Sequence, residues 1–444
     1  MRKYRLVFEG YDSEDISVVT RTELMSGDVH EPLDLFRVGF THEEQIKIIK
    51  LNQDCLINEQ FKLKNTKPEY CPHCPNTKLI RVGRNKSNYH DVFTDHIVTI
   101  TRKQCPRCKK EISSTVRTIL GGAISADLSR IQSELASNHT FRESEQIFDR
   151  FARIKREINN HDRIKQTSEA VGSNLKLYTQ SASELIGIKP ADELIINVDG
   201  GHVKTTEDGL RSFEAMAAVV YKPESLVCDE KNGINTIIAK HCAASTEDDN
   251  QQQMIANTIV AALKEGLCPN TKITALCDGA KNCWQIVDSF KPISASVLYI
   301  LDWFHLSMKI HNIVMPDDLK EKLESVKWYL WHGKVSEAKE KLSSLILESP
   351  VKQKLLLKKL YVYIDNNSDK IINYDERKDK NLPYTSNLAE STVESLINRR
   401  CKGKQHMRWS RKGLDPILQL RAAITSNEWE QIWRHAVMAT CTIH

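Results

Sequence analysis

The sequence contains no run of about 18 apolar residues, the length that a membrane-spanning helix needs, so we expect no transmembrane segment. Its opening residues, from Met1 to Glu9, lack the apolar stretch of a secretory signal peptide. Without an export signal, the 12 cysteines are expected to stay reduced or to bind metal, which argues against a disulfide framework. Together these absences favour a cytoplasmic protein.

The net charge is small but unevenly distributed. Of the 444 residues, 40% are hydrophobic and 27% are charged, which is typical of a soluble chain with several domains. The net charge is +5, yet residues 61–130 carry 14 Lys and Arg against 5 Asp and Glu. This local basic excess indicates a polyanionic partner, although a solvated basic face would give the same pattern.

Two Cys-x-x-Cys motifs, about thirty residues apart, predict one tetrahedral Zn²⁺ site within residues 66–112. The zinc would be structural, because four protein ligands leave no open position for a substrate. Between the motifs, Val92 to Thr101 alternates like a strand of a zinc ribbon. The nearby histidines are alternative ligands, although a lone histidine is more often an ordinary surface or core residue: His73, His90 and His96. The predicted ligands are Cys71, Cys74, Cys105 and Cys108.

Periodicity predicts the segments on either side of this ribbon. Residues 1–65 form a small α/β element, with a strand at 4–8 and a helix at 41–60. Residues 113–185 are helical, and short helices after a zinc ribbon are typical of a helix-turn-helix-like DNA-binding module. A plain helical spacer would have the same pattern. The predicted helices are 125–137, 140–154 and 162–178.

From residue 190 the pattern changes to that of an α/β core. A helix at 248–265 lies between the third and fourth of five predicted strands. The first three strands can pair as a meander, and the helical crossover allows the fourth to lie parallel beside the first. This is the pattern of an RNase H-like mixed sheet. The predicted strands are 194–199, 213–221, 235–244, 272–278 and 296–302.

Two aspartates close strands of this core. Asp199 and Asp278 each end a short apolar run and precede a glycine, so both carboxylates are expected at the same edge of the sheet. Glu390 lies at the start of a later predicted helix, and Glu394 shares its side one turn on. Two strand-end carboxylates and one helical glutamate could hold two Mg²⁺ ions, which would clamp the attacking and leaving oxygens of a phosphodiester.

The fifth strand ends at Asp302, and His305 follows three residues later. These side chains could contact a substrate, or Asp302 could replace one of the metal ligands. The alternative interpretation is that Asp302 caps the following helix and that His305 packs within it.

Two further regions are candidates for contact with DNA. Residues 306–381 form a charged helical insertion, which could stack on DNA or hold a second subunit, and residues 382–444 complete the core. After the helix of Glu390 comes a basic segment that suits a phosphate backbone with one stacked base. Its candidate contacts are Arg399, Arg400, Lys402, Lys404, Arg408 and Trp409.

The motifs around these acids, in order, resemble those of bacterial insertion-sequence transposases of the DDE type, over roughly residues 110–430. The resemblance rests on Asp199-Gly-Gly, Asp278-Gly-Ala, Leu301 to His305, Asn387 to Glu390, and Asn398-Arg-Arg followed by Met407 to Ser410. It implies an RNase H-like catalytic domain with two Mg²⁺ ions bound by Asp199, Asp278 and Glu390. It also implies recognition of terminal inverted repeats by the ribbon and helical module, and a nucleoid-associated homo-oligomer on DNA in the bacterial cytoplasm.

Three functions therefore compete. The first is an active DNA transposase that cuts and joins DNA strands. The second is a catalytically inactive, transposase-derived DNA-binding or regulatory protein, which the loss of a triad acid would favour. The third is an RNase H-like nuclease, which would not need a module for recognising transposon ends. Because no triad acid is missing and the ribbon is present, the sequence favours the first.

Overall fold

The computed structural model describes residues 2–11, 17–35, 38–179, 187–229, 234–386, 392, 394–401 and 407–441. The chain is mixed α/β and divides into two compact units. The first consists of residues 1–174 and 433–444, and the second of residues 175–432. None of the described helices is long and apolar enough to cross a lipid bilayer.

The first unit contains an N-terminal hairpin, a three-stranded antiparallel sheet and helices. Its elements are β1 (Arg2–Tyr11), β2 (Val18–Val29), α1 (His42–Thr66), β3 (Ile80–His90), β4 (Asp95–Gln104), β5 (Glu111–Ser113), α2 (Val116–Leu120), α3 (Ala126–Asn138), α4 (Phe141–Ala152) and α5 (His161–Thr179), whose end enters the second unit.

Side-chain caps set the starts of the helices close to the predicted positions. Thr41 and Thr140 each accept a hydrogen bond from the backbone of a glutamate three residues on, and Ser125 caps α3 in the same way. The predicted strand around residue 97 is also confirmed, because Val98 and Ile100 of β4 are fully buried. They pack against α1, so the N-terminal element shares one core with the ribbon.

The second unit is built on a five-stranded mixed sheet, followed by a helical segment. Its elements are β6 (Glu193–Lys204), β7 (Ser212–Tyr221), β8 (Leu226–Asp229), β9 (Ile234–Ile237), β10 (His241–Ser245), α6 (Gln252–Lys264), β11 (Lys272–Cys277), α7 (Lys281–Asp288), β12 (Ser296–Leu301), α8 (Trp303–His311), α9 (Asp317–Trp331), α10 (Val335–Glu348), α11 (Val351–Asn366), α12 (Tyr374–Asp379) and α13 (Arg411–Thr425); α14 (Trp429–Met438) crosses into the first unit.

The strand order of the main sheet is β10-β7-β6-β11-β12. The predicted antiparallel meander and the parallel fourth strand beside the first are therefore confirmed. The single strand predicted over 235–244 is wrong. A bend at 238–239, where the Ile238 N–H bonds to the Ser225 carbonyl, separates β9 from β10. Only β10 joins the main sheet, while β9 pairs with β8.

Candidate active site

Three aspartates lie at one edge of the main sheet. β6, β11 and β12 run parallel and in register, and Asp199, Asp278 and Asp302 each follow the last residue aligned across them. Because neighbouring strands are about 4.8 Å apart, this register brings the three backbones together at the carboxyl edge. The predicted neighbourhood of Asp199 and Asp278 is therefore observed. The last aligned residues are Val198, Cys277 and Leu301.

Asp199 and Asp278 are partly buried, and the charge of Asp278 acts on the Asp199 carboxylate. Burial raises the pKa of Asp199, and the charges of Asp278 and Asp302 raise it further, against the opposing effects of the Gly200 N–H and His305. One oxygen of Asp199 accepts the Gly200 N–H at 2.8 Å, and one oxygen of Asp278 accepts the Ala280 N–H at 2.8 Å. A cation between these carboxylates would relieve the repulsion between their charges.

Asp302 is fully buried and is held by hydrogen bonds from three residues. Its carboxylate accepts the Phe304 N–H at 3.2 Å, as the N-cap of α8, and both the N–H and the hydroxyl of Ser386 at 2.9 and 2.6 Å. Burial alone would raise its pKa, but the hydrogen bonds from His305 and Ser386 lower it. Asp302 therefore has no surface to offer a substrate, and it instead ties the chain at residue 386 to the sheet edge.

His305 is oriented by Asp302. Its Nδ1 lies 2.6 Å from the Asp302 carboxylate, and its side chain is 28% exposed. Burial lowers the pKa of His305, but the hydrogen bond and charge of Asp302, together with the charges of Asp199 and Asp278, raise it overall. His305 thus presents a partly exposed imidazole beside the two acids, where it can contact an anionic substrate.

The helical insertion packs directly on the acid edge, which its sequence did not reveal. The Tyr363 hydroxyl of α11 donates to the Asp278 carbonyl at 2.5 Å, and the buried Tyr374 hydroxyl donates to the Leu301 carbonyl at 2.7 Å. Gly279 has a φ of +91°, and a Cβ there would lie 2.9 Å from side-chain atoms of Leu301 and Tyr363. The glycine after Asp278 was the one sequence signal of this close approach.

The predicted third acid, Glu390, lies outside the described residues, as do Lys402 and Lys404. Glu394 is exposed and begins a π-helical turn, Glu394–Asn398. The buried Arg421 guanidinium donates to the Leu396 carbonyl at 2.7 Å and to the Ser395 carbonyl, which supplies partners to this unusual turn.

Of the basic segment, Arg399 and Arg408 are exposed, whereas Arg400 and Trp409 are buried. The Arg400 guanidinium lies over the Trp409 ring, 4.8 Å from its centre. The Trp409 backbone pairs with the end of β6, where its N–H donates to the Lys204 carbonyl at 3.0 Å. The expectation that Arg400 and Trp409 bind substrate is therefore corrected, because both side chains anchor the segment inside the fold.

The four predicted cysteines converge in the first unit. The sulfur atoms of Cys71, Cys74, Cys105 and Cys108 all lie within 4.8 Å of one another, and three of these residues are buried. The Cys108 N–H points to the Cys105 sulfur at 3.4 Å. Although burial opposes ionisation, the backbone N–H groups of Cys108 and Arg107 lower the pKa of Cys105 to about 6. Four clustered thiols, one readily ionised, suit a metal such as Zn²⁺.

Two of the three histidines considered as alternative zinc ligands pair with carboxylates instead. His96 is buried and lies 2.6 Å from Asp54 and 3.0 Å from Asp91, while His90 lies 2.7 Å from Asp95. His73 is exposed. Across the part of the chain that the structure describes, the cysteines are the one group of three or more candidate ligands whose atoms lie this close.

No model of a known protein family matches this sequence, and no curated protein sequence matches it significantly.

Proposed function

We propose that this protein is a DNA transposase that binds transposon-end inverted repeats and catalyses Mg²⁺-dependent strand cleavage and strand transfer. One observation carries the proposal: Asp199 and Asp278 follow aligned residues of two neighbouring parallel strands. Paired carboxylates at such an edge are ligands for catalytic Mg²⁺ in phosphodiester chemistry.

Two further features support this function. The strand order β10-β7-β6-β11-β12 agrees with an RNase H-like core, the fold that the transposase resemblance implies. The clustered cysteines support a structural Zn²⁺ in a ribbon next to a helical module, as expected for recognition of DNA ends.

In this proposal, each residue has a separate role. Asp199 and Asp278 bind Mg²⁺ with Glu390, and His305 contacts the substrate backbone beside them. Asp302 keeps His305 and Ser386 in place and touches neither metal nor DNA. Bound Mg²⁺ would activate the attacking water or 3′-hydroxyl and would stabilise the leaving oxygen.

The test is cleavage and joining of a labelled duplex that carries the inverted repeat flanking the gene. We expect Asp199→Asn, Asp278→Asn and Glu390→Gln each to abolish both reactions while end binding persists, because binding is assigned to the first unit. Glu394→Gln is the matched control and should be mild. Asp302→Asn should be intermediate, because it loosens the support of the site and removes no ligand.

The outcomes separate the competing functions. Cleavage by Asp199→Asn or Asp278→Asn at the wild-type rate would end the two-metal interpretation. Cleavage without joining would identify a nuclease, and end binding without cleavage by the wild type would identify an inactive regulatory protein. If Glu394→Gln is inactive and Glu390→Gln is active, the third ligand is Glu394.

A further inference from the structure

A polar groove of about 660 Å³ lies within the first unit, between the N-terminal hairpin, α1 and the strands β3 and β4. Phe8, Thr20 and Thr22 line the hairpin side, and Thr99 and Thr101 line the ribbon side. Phe8 and Thr22 are paired across β1 and β2, so both project from the same face of the hairpin. Residues 1–65, for which the sequence predicted no functional residues, thus line the hairpin side of this groove and part of its α1 side.

The groove carries an excess of positive charge. Its basic residues are Lys62, Arg81 and Arg84, and its one acidic lining residue among those described is Glu59. Glu59 is paired with Lys62 at 2.6 Å. The Arg81 guanidinium makes a hydrogen bond to the Asn65 carbonyl at 3.3 Å, whereas that of Arg84 has no partner among the described residues. Neither arginine is paired with a carboxylate among the described residues, so the charges of both are available to an anionic ligand.

The neutral lining also suits a sugar-phosphate chain. Thr20, Thr22, Thr99, Thr101 and Asn58 line the same groove as the arginines. Hydroxyl, amide and guanidinium groups are the usual contacts to phosphate and sugar oxygens, and the partly exposed Phe8 ring offers a face for stacking. A groove of this volume is too small for a double helix but accommodates a short stretch of one strand.

We propose that this groove binds the phosphodiester backbone of one nucleic-acid strand, with Arg81 and Arg84 on its phosphates. The identification of the anion as nucleic acid rests on the proposed function, while the groove itself rests on the residues above. The N-terminal hairpin is then part of the DNA-binding surface, beside the ribbon and the helical module.

The experiment measures binding of the full chain to a short fluorescent oligothymidine by anisotropy, without Mg²⁺, over a range of salt concentrations. Each phosphate contact to a single strand contributes about 0.7 to the slope of log K against log[salt]. We therefore expect Arg81→Ala with Arg84→Ala to reduce this slope by about 1.4 and to weaken binding at low salt.

Two variants control for charge and folding. Arg102→Ala removes an arginine of the same ribbon whose guanidinium already binds both oxygens of Glu111, at 2.7 and 2.8 Å, so it should change affinity less than about twofold. Glu59→Gln frees Lys62 and should tighten binding with a steeper slope, which a folding defect would not produce.

Two results would overturn the groove assignment. One is a slope of log K against log[salt] in the double variant equal to that of the wild type, and the other is displacement of the labelled oligothymidine by polyglutamate as readily as by unlabelled oligothymidine. Either result leaves the catalytic proposal intact, since that is read from cleavage at Asp199 and Asp278. Conversely, if the double variant shows the reduced slope while the wild type never cuts DNA, the groove is supported and the transposase function is rejected.

Discussion

The buried carboxylate of Asp302 explains the role of the motif at the end of β12. The sequence makes Asp302 and His305 candidates for substrate contact, yet the Asp302 carboxylate is fully occupied by hydrogen bonds from Phe304, Ser386 and His305. The two sequence interpretations, helix cap and site residue, thus apply to different residues: Asp302 caps, and His305 remains beside the acids. The partner at Ser386 is 84 positions away, so local pattern could not have supplied it.

His241, at the start of β10, is a partly buried charge. Its Nδ1 lies 2.7 Å from Glu265, and its Nε2 lies 3.5 Å from Glu428, which also pairs with Lys264. Burial lowers the pKa of His241, but these two carboxylates raise it to about 9. The protonated imidazole is therefore favoured in the folded protein over the unfolded chain, where histidine has a pKa of about 6.5.

This raised pKa predicts a pH-dependent stability. The contribution of His241 is fully present below about pH 6.5 and is lost as pH rises through about 9, because the folded state binds the extra proton. We expect the free energy of unfolding to fall by up to about 3 kcal/mol across that interval, at about 1.4 kcal/mol per pKa unit. Urea unfolding at several pH values measures it.

His241→Gln should flatten this profile, and His73→Gln, which changes an exposed histidine, should leave it as in the wild type. A profile that keeps its wild-type fall in His241→Gln would assign the effect to other groups.

At the scale of elements, sequence and structure agree best where local chemistry decides. The start of α4 follows from Thr140 and its capping glutamate, and β4 follows from the alternation around Val98. Agreement fails where tertiary contacts decide. The bend after Ile237 depends on the Ser225 carbonyl, outside its own strand, and the packing of Tyr363 on the Asp278 loop joins residues 85 positions apart.

The two Cys-x-x-Cys motifs form a predicted Zn²⁺ site whose metal content can be measured. We expect about one Zn²⁺ per chain, lost in Cys71→Ser with Cys105→Ser, because two thiolates cannot retain a tetrahedral structural ion. Elemental analysis of purified protein measures the stoichiometry. Cys55→Ser with Cys268→Ser removes two thiols outside the cluster and should retain the metal. Stoichiometric zinc in the first variant would reject the site.

At the scale of the whole molecule, the chain forms two compact units. The first holds residues 1–174, which include the N-terminal element, the ribbon and most of the predicted helical module, together with residues 433–444. The parallel strands, with Asp199 and Asp278 at their ends, fall in the other unit. The return of the C-terminus was not predictable, because it depends on packing between residues about 300 positions apart, which no local pattern records.

Trp433 packs α14 against α3 within the first unit. The residue is 7% exposed and its ring lies beneath the Arg130 guanidinium of α3, at 5.0 Å, while the Asn174 amide donates to the nearby Ala436 carbonyl at 3.2 Å. Ala436 and Val437 are completely buried. A side chain of this size, enclosed on the same face as these residues, contributes mainly through burial and ring contact with the cation.

We therefore expect Trp433→Ala to destabilise the first unit by about 3–5 kcal/mol, the usual loss when a buried tryptophan is truncated. Hydrogen exchange of peptides from α3 measures this unit separately, which matters because two units need not unfold in one step. Trp328→Ala is the matched control, since that ring is 50% exposed and belongs to the helical insertion. Unchanged protection of α3 in Trp433→Ala would mean that the C-terminal residues lie on the unit without stabilising it.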